Sequence, residues 1–140
     1  MPEEAANIAM LKEAYRRWNE SHGGTVDHWM SLCDEDIAFG SLAQAPPRLE
    51  YLTSYRARDA LKAYFEGVKR DWDIIEYRVD HLIAQGDRVV MLGHLTVVSK
   101  VTGKTVKTPK VDSWRFQDGK AVEFFEYYDT AQVIQAMAPA

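Results

Sequence analysis

From residue 75 onward the chain reads as four runs of alternating polarity divided by three glycine-bearing turns, and no other feature limits its possible folds so tightly. The runs fall near 75–84, 87–100, 105–117 and 121–128, separated by Gln85-Gly86-Asp87, Thr102-Gly103-Lys104 and Asp118-Gly119-Lys120. A period of two sends successive side chains to opposite faces of a strand. Glycine at a tight connection takes positive φ without steric cost. Four strands joined in this way predict an antiparallel meander.

The first half has helical periodicity instead. Ile8, Leu11, Tyr15 and Trp18 give residues 4–21 an apolar stripe, which Ser21-His22-Gly23-Gly24 ends. Thr25 is placed to cap a second, short helix with Val26, Trp29, Met30 and Cys33 as its apolar positions, followed by a strand at 37–39. Pro46-Pro47 breaks the chain after that strand. A third helix is expected over 56–71, packing Leu61, Tyr64, Phe65 and Val68 and exposing Arg58, Lys62, Glu66 and Lys69. Asp129 and Gln132 form a capping box for a last helix at 130–137. The sum is one α+β domain over 1–140, with three N-terminal helices packed on one face of a curved, mostly antiparallel sheet. If the sheet does not close, a cavity remains inside it.

Composition excludes several classes of function. The 17 Lys and Arg residues against 21 Asp and Glu leave a net charge of −4 with no basic stripe, so nucleic acid is not an expected partner. No run of roughly 18 apolar residues is present and Met1-Pro2-Glu3-Glu4 lacks the layout of a signal peptide. A soluble cytoplasmic protein with no membrane partner is expected. Cys33 stands alone, and His22, His28, His81 and His94 have no zinc spacing, so neither a disulfide, a metal nor a cofactor is expected. The runs at 87–100 and 105–117 are apolar on both parities, so the outer sheet face needs cover, and a homodimer would supply it.

Candidate chemistry centres on Lys110-Val111-Asp112-Ser113-Trp114-Arg115-Phe116. Asp112 shares a strand face with Trp114 and Phe116, which makes it a pocket acid or a member of a structural hydrogen-bond network. Burial alone would favour its neutral form, a hydrogen-bond donor toward developing negative charge. Parity also groups Phe124, Glu126 and Tyr128, and Leu95 with Val97. Glu126 is therefore a second candidate for proton transfer. Tyr15 and Tyr64 are either pocket donors or core aromatics. Lys110 is either a site residue or a solvated strand end. His81 shares parity with Tyr77, Val79 and Ile83 and belongs to a pocket or the core, while His94 points outward. Cys33 reads as packing, as no paired histidine or second cysteine argues for nucleophilic work.

The segments Tyr15 to Asn19, Asp34 to Phe39, Arg58 to Phe65 and Val111 to Phe116 followed by Asp118-Gly119-Lys120, taken in that order, resemble the SnoaL-like and ketosteroid-isomerase-like group of the nuclear transport factor 2-like, or cystatin-like, superfamily. The resemblance spans about residues 5–137. It implies a cone-shaped α+β fold whose sheet wraps an apolar pocket, often in a dimer. By the same resemblance Asp112 matches the isomerase aspartate that helps stabilise a dienolate oxygen. Ser41 falls where those isomerases carry the proton-moving carboxylate. Anchoring on Asn19 puts Ala14 at the oxyanion tyrosine, with Tyr15 one residue away. Related epoxide hydrolases have arginine two residues before a catalytic aspartate; this chain has Lys110. The cavity lining implied is Tyr64, Leu95, Val97, Trp114, Phe124 and Tyr128.

These readings lead to a cofactor-independent enzyme, an isomerase, cyclase or hydratase, acting by acid/base chemistry on a small-to-medium apolar carbonyl-containing compound. Asp112, Tyr15, Tyr64 and Glu126 are its candidate catalytic residues; Leu95, Val97, Lys110, Trp114, Phe124 and Tyr128 line its substrate pocket. The alternative is a noncatalytic small-molecule-binding or sensory module; a purely structural interaction domain is a third reading.

Overall fold

Gly86, Gly103 and Gly119 all sit at positive φ, at 60°, 76° and 77°, each closing one hairpin of the expected meander. The computed structural model describes residues 2–41, 55–56 and 58–138. Pro46-Pro47 lies outside the described residues. The chain is α+β, with α1 (Pro2–Glu20), α2 (Val26–Leu32), β1 (Cys33–Ser41), β2 (Tyr55–Arg56), α3 (Arg58–Asp71), β3 (Trp72–Gln85), β4 (Arg88–Ser99), β5 (Thr105–Gln117), β6 (Lys120–Tyr127) and α4 (Thr130–Met137). The strands form one sheet in the order β2-β1-β6-β5-β4-β3. All neighbours are antiparallel except β1 and β6, which run parallel with Phe39 opposite Phe124.

Helix α1 forms where the stripe requires it. Leu11, Ala14, Tyr15 and Trp18 are buried, Glu3 and Glu4 occupy its first turn and Arg17 its last, matching the helix dipole. The helix lies against β3 and β4, and Asn19 Oδ1 accepts the Tyr77 backbone N–H at 2.7 Å. Helix α2 is shorter than a full amphipathic helix and departs from its expected details. The Thr25 side chain makes no cap bond, and Cys33 begins β1 rather than extending the helix, its thiol donating to the Trp29 carbonyl at 3.2 Å. Arg56 likewise belongs to a strand, so α3 starts two residues later than its periodicity suggests. At α4, Asp129 accepts from the Gln132 backbone N–H as expected of a cap. The reciprocal half of the box is absent: Gln132 Nε2 donates to the Asp129 carboxylate and the Lys107 carbonyl, and the Asp129 N–H goes to Thr108.

Strand β3 is where simple alternation fails. Its pairing with β4 shifts register between Ile74 and Glu76 and again between Val79 and His81. Each bulge inserts a residue and exchanges the two faces. His81, expected to share the face of Tyr77, is instead exposed, as is Ile83, whereas Tyr77 is buried. Gly93 permits this pinch. A Cβ there would lie 2.0 Å from the Arg78 carbonyl oxygen, so β3 and β4 approach only because the side chain is missing.

Candidate active site

Strand β5 carries the site. Lys110, Asp112 and Trp114 alternate onto its inner face and all three are buried, at 4%, 1% and 5% exposure. Lys110 is thus no solvated strand end. Its ammonium lies 2.7 Å from Asp112 Oδ1, 3.1 Å from Glu126 Oε1 and 2.8 Å from the Tyr77 hydroxyl. Glu126 reaches it because β6 pairs with β5 in a register that sets Glu126 directly across from Asp112. One cation therefore ties two buried carboxylates.

Tyrosines from three other elements complete the cluster. Tyr15 of α1 donates to Asp112 Oδ2 at 2.6 Å and accepts from Trp114 Nε1 at 2.9 Å. Tyr77 of β3 also donates to Asp112 Oδ2. Tyr64 of α3 donates to Glu126 Oε2 at 2.8 Å. Tyr15 and Tyr64 are thus both brought to the carboxylates, one to each. Behind Asp112, Trp114 stacks on Trp29 with centroids 5.4 Å apart and planes 6° from parallel, and Phe124 closes on Trp114 at 4.5 Å.

The electrostatics follow from burial and pairing. Burial opposes the Lys110 ammonium, yet Asp112 and Glu126 beside it hold its pKa well above the usual lysine value. Burial first, then the adjacent carboxylate, pushes the phenols of Tyr15, Tyr64 and Tyr77 well above 10. Three donors are aimed at Asp112, from Tyr15, Tyr77 and Lys110. Burial also pushes the Cys33 thiol up to about 12, an inert packing group in keeping with its sequence reading.

Two apolar cavities meet at this cluster. The outer, about 80 Å³, has Leu95, Val97, Tyr64, Lys110, Glu126 and Tyr128 among its walls. The inner, about 60 Å³, is bounded by Tyr15, Trp114, Phe124, Asp112 and Cys33. Trp18, Tyr64, Tyr77 and Lys110 belong to both. Glu126 faces the outer cavity and Asp112 the inner one, so the two carboxylates address different spaces. Ser41 is buried and its hydroxyl meets that of Tyr128 at 2.6 Å. His94 is exposed and pairs with Asp80 at 2.9 Å. Among the described residues no group of three or more His, Cys, Asp or Glu side chains is arranged to hold a metal ion.

Tyr77 and Trp18 are site residues that sequence reasoning did not nominate. Trp18 was visible as an apolar helix position. Nothing in the sequence gives the β3 bulges that turn Tyr77 inward.

The family model for the SnoaL-like domain matches residues 11–124. The chain belongs to the SnoaL-like domain family. Solved structures similar to this SnoaL-like domain include an NTF2-like protein from Burkholderia xenovorans LB400, 22% identical over 96% of this chain and 98% of that one, with a TM-score of 0.78. A protein from Jannaschia sp. CCS1, provisionally named a SnoaL-like polyketide cyclase, is 17% identical over 100% and 97% of the two chains, TM-score 0.80. One from Bacillus subtilis, provisionally named an isomerase, is 15% identical over 99% of each chain, TM-score 0.80. No curated protein matches the sequence. At these identities the likeness establishes the NTF2-like fold. No helix among the described residues is long and apolar enough to cross a membrane.

Proposed function

We propose that this SnoaL-like domain is a cofactor-independent acid/base enzyme acting on a small, largely apolar compound in the outer cavity, with Glu126 as the group that takes the proton. The observation that carries this reading is the Lys110 ammonium, buried between Asp112 and Glu126 at 2.7 and 3.1 Å. Such a clamp fixes both carboxyl groups within an apolar wall, where directed charge acts more strongly than in water. Glu126 has one oxygen on Lys110 and the other on Tyr64, which leaves acceptor capacity toward the cavity. Asp112 spends its oxygens on Tyr15, Tyr77 and Lys110, so its role is to position Lys110. A proton moves from substrate to the Glu126 carboxylate while the electron pair stays on the substrate; its return at another atom gives isomerisation or closes an aldol-type cyclisation, and the same base acting on water gives hydration.

A screen of small ketones, enones and epoxides should find turnover that Glu126→Gln lowers by about 10²–10⁴-fold and Asp112→Asn lowers less. Undiminished turnover in E126Q would remove the assignment. The noncatalytic alternative draws on a specific observation too, the full engagement of Asp112 by its own neighbours. Ligand capture without conversion, unchanged by D112N, would favour it.

The same reading includes a homodimer. The register aligns Ile83, Val90, Ser113 and Phe125 in one row and His81, Leu92, Val111 and Tyr127 in the next on the outer sheet face. Arg88 and Arg115 bracket Glu123 in the adjoining row, a mixed-charge rim that suits a second copy of the same surface. Light scattering at micromolar concentration should give about twice the 16.0 kDa chain mass; the chain mass itself would exclude the dimer.

A further inference from the structure

Lysine carries three N–H groups, and at Lys110 two of them are held in hydrogen bonds, one to the Tyr77 hydroxyl at 2.8 Å and one to Asp112 Oδ1 at 2.7 Å. Glu126 Oε1 lies 3.1 Å from the ammonium as an ion pair, outside hydrogen-bond geometry. Asp112 bounds the inner cavity and Tyr77 stands in the wall shared by both, so the third N–H is left on the side of Glu126 and the outer cavity, which Lys110 also lines. The other polar hydrogens nearby are committed or uncharged. Tyr15 and Tyr77 donate to Asp112, Tyr64 to Glu126, and Thr108 to the Pro109 carbonyl. Trp18 and Tyr128 add an indole N–H and a hydroxyl to the outer wall, but Lys110 is the one cation among the described residues that line it.

We propose that Lys110 is itself a catalytic residue: its third N–H receives the carbonyl oxygen of a ligand in the outer cavity, while Glu126 takes a proton from the carbon next to that carbonyl. The inference rests on the reading of Glu126 and the outer cavity given above, and it narrows the substrate to an enolisable ketone or aldehyde. In this step the α-C–H bond breaks and its proton goes to Glu126. The electron pair of that bond forms the C=C bond, and the carbonyl π pair moves onto oxygen. Charge thus leaves Glu126 and arrives on an oxygen beside the same ammonium. Lys110 exchanges one counter-anion for another without moving, and a fixed buried charge of this kind needs little rearrangement to meet the transition state. The 3.1 Å between donor and base suits an oxygen and a hydrogen on adjoining carbons; a proton several bonds from the carbonyl lies beyond it.

Cyclopentanone labelled with ¹³C at the carbonyl tests the contact on the full chain. Bound to the wild type, its carbonyl carbon should resonate downfield of its value in water, because an ammonium draws more charge from the oxygen than water does. The ¹⁵N–¹H signal of the buried Lys110 ammonium should move along the same saturation curve. In heavy water the bound ketone should exchange its α-hydrogens for deuterium. Lys110→Met should lower that exchange by about 10²–10³-fold and return the carbonyl signal upfield. The ammonium signal is read on the wild type, which gives a second answer if K110M does not fold. A carbonyl signal at or upfield of its value in water, an unmoved Lys110 ammonium, or no response to the ketone overturns the proposal. So does a downfield signal that survives K110M and is lost in Trp18→Phe or Tyr128→Phe. Displaced carbonyl and ammonium signals without α-exchange would keep the Lys110 contact and sink Glu126 as the base. Exchange abolished by E126Q yet indifferent to K110M would keep Glu126 and sink the role of Lys110.

Discussion

Two networks of opposite charges in this chain have similar ingredients and opposite surroundings. On α1, Glu13 and Glu20 meet Arg16 and Arg17, with Glu13 Oε1 at 2.9 Å from Arg17 Nε and Glu20 at 2.7 Å from Arg16. On β5 and β6, Lys110 meets Asp112 and Glu126 at comparable distances. The helix side chains are about half exposed, 52% for Arg16 and 42% for Glu13, whereas none in the strand network exceeds 5%. Distance therefore does not separate them. Water does: the exposed pairs are screened and replaceable by hydration, while each buried charge depends on its partners. The surface network decorates a helix; the buried one makes a site.

The strongest way to break this contrast is Lys110→Met. It leaves two carboxylates side by side in an apolar interior, and should cost about 3–5 kcal/mol in urea unfolding. A wild-type midpoint would mean that water reaches the cluster and that the contrast is false. The next test is alkaline titration. Tyr15, Tyr64 and Tyr77 have folded pKa values raised above the ordinary 10. Their contribution to stability is complete below about pH 10 and is lost as pH rises through the folded values, at about 1.4 kcal/mol per pH unit for each phenol withheld from ionisation. Lys110 is raised too, so its contribution has the same sign. Phenolate absorbance from these three tyrosines should appear only with unfolding, and a smooth titration of all phenols in the folded protein would contradict their burial. The smallest effect belongs to the surface. Arg16 and Arg17 hold the Glu13 carboxyl down at about 2, a contribution present above its ordinary value and lost as pH falls toward 2. Glu13→Gln should leave the thermal midpoint at neutral pH within experimental error, and any deficit should vanish in high salt.

The contrast also shows what was legible in the sequence. Period-two reading placed Asp112 with Trp114, and Phe124 with Glu126, because β5 and β6 alternate regularly across those residues; Tyr128, one residue past the end of β6, still lines the outer cavity with Glu126. It placed the three turns as well, since glycine at positive φ leaves a local signature. It failed on β3, where two bulges reverse the faces, so His81 looked inward and Tyr77 attracted no attention. It left Lys110 open between a pocket residue and a solvated strand end. A lysine at the end of a strand pattern is usually exposed, and only the cross-strand register that brings Glu126 opposite Asp112 explains why this one is buried. The parallel pairing of β1 with β6 leaves no local pattern at all, because the partners are distant in sequence.

That distance bears on how the protein comes to be folded. The meander is joined by short turns, so its ladders close small loops and can form early. The Tyr15 to Asp112 bond instead spans 97 residues and the Tyr64 to Glu126 bond 62, and closures of that length carry the larger entropic cost and the slower rate. The site is thus expected to be the last part assembled: pulse-labelled hydrogen exchange should protect β4 and β5 before α1. A chain emerging from synthesis would hold Lys110 and its carboxylates on a bare hairpin sheet, still hydrated, and acquire a dry pocket only when the first helix returns to cover them.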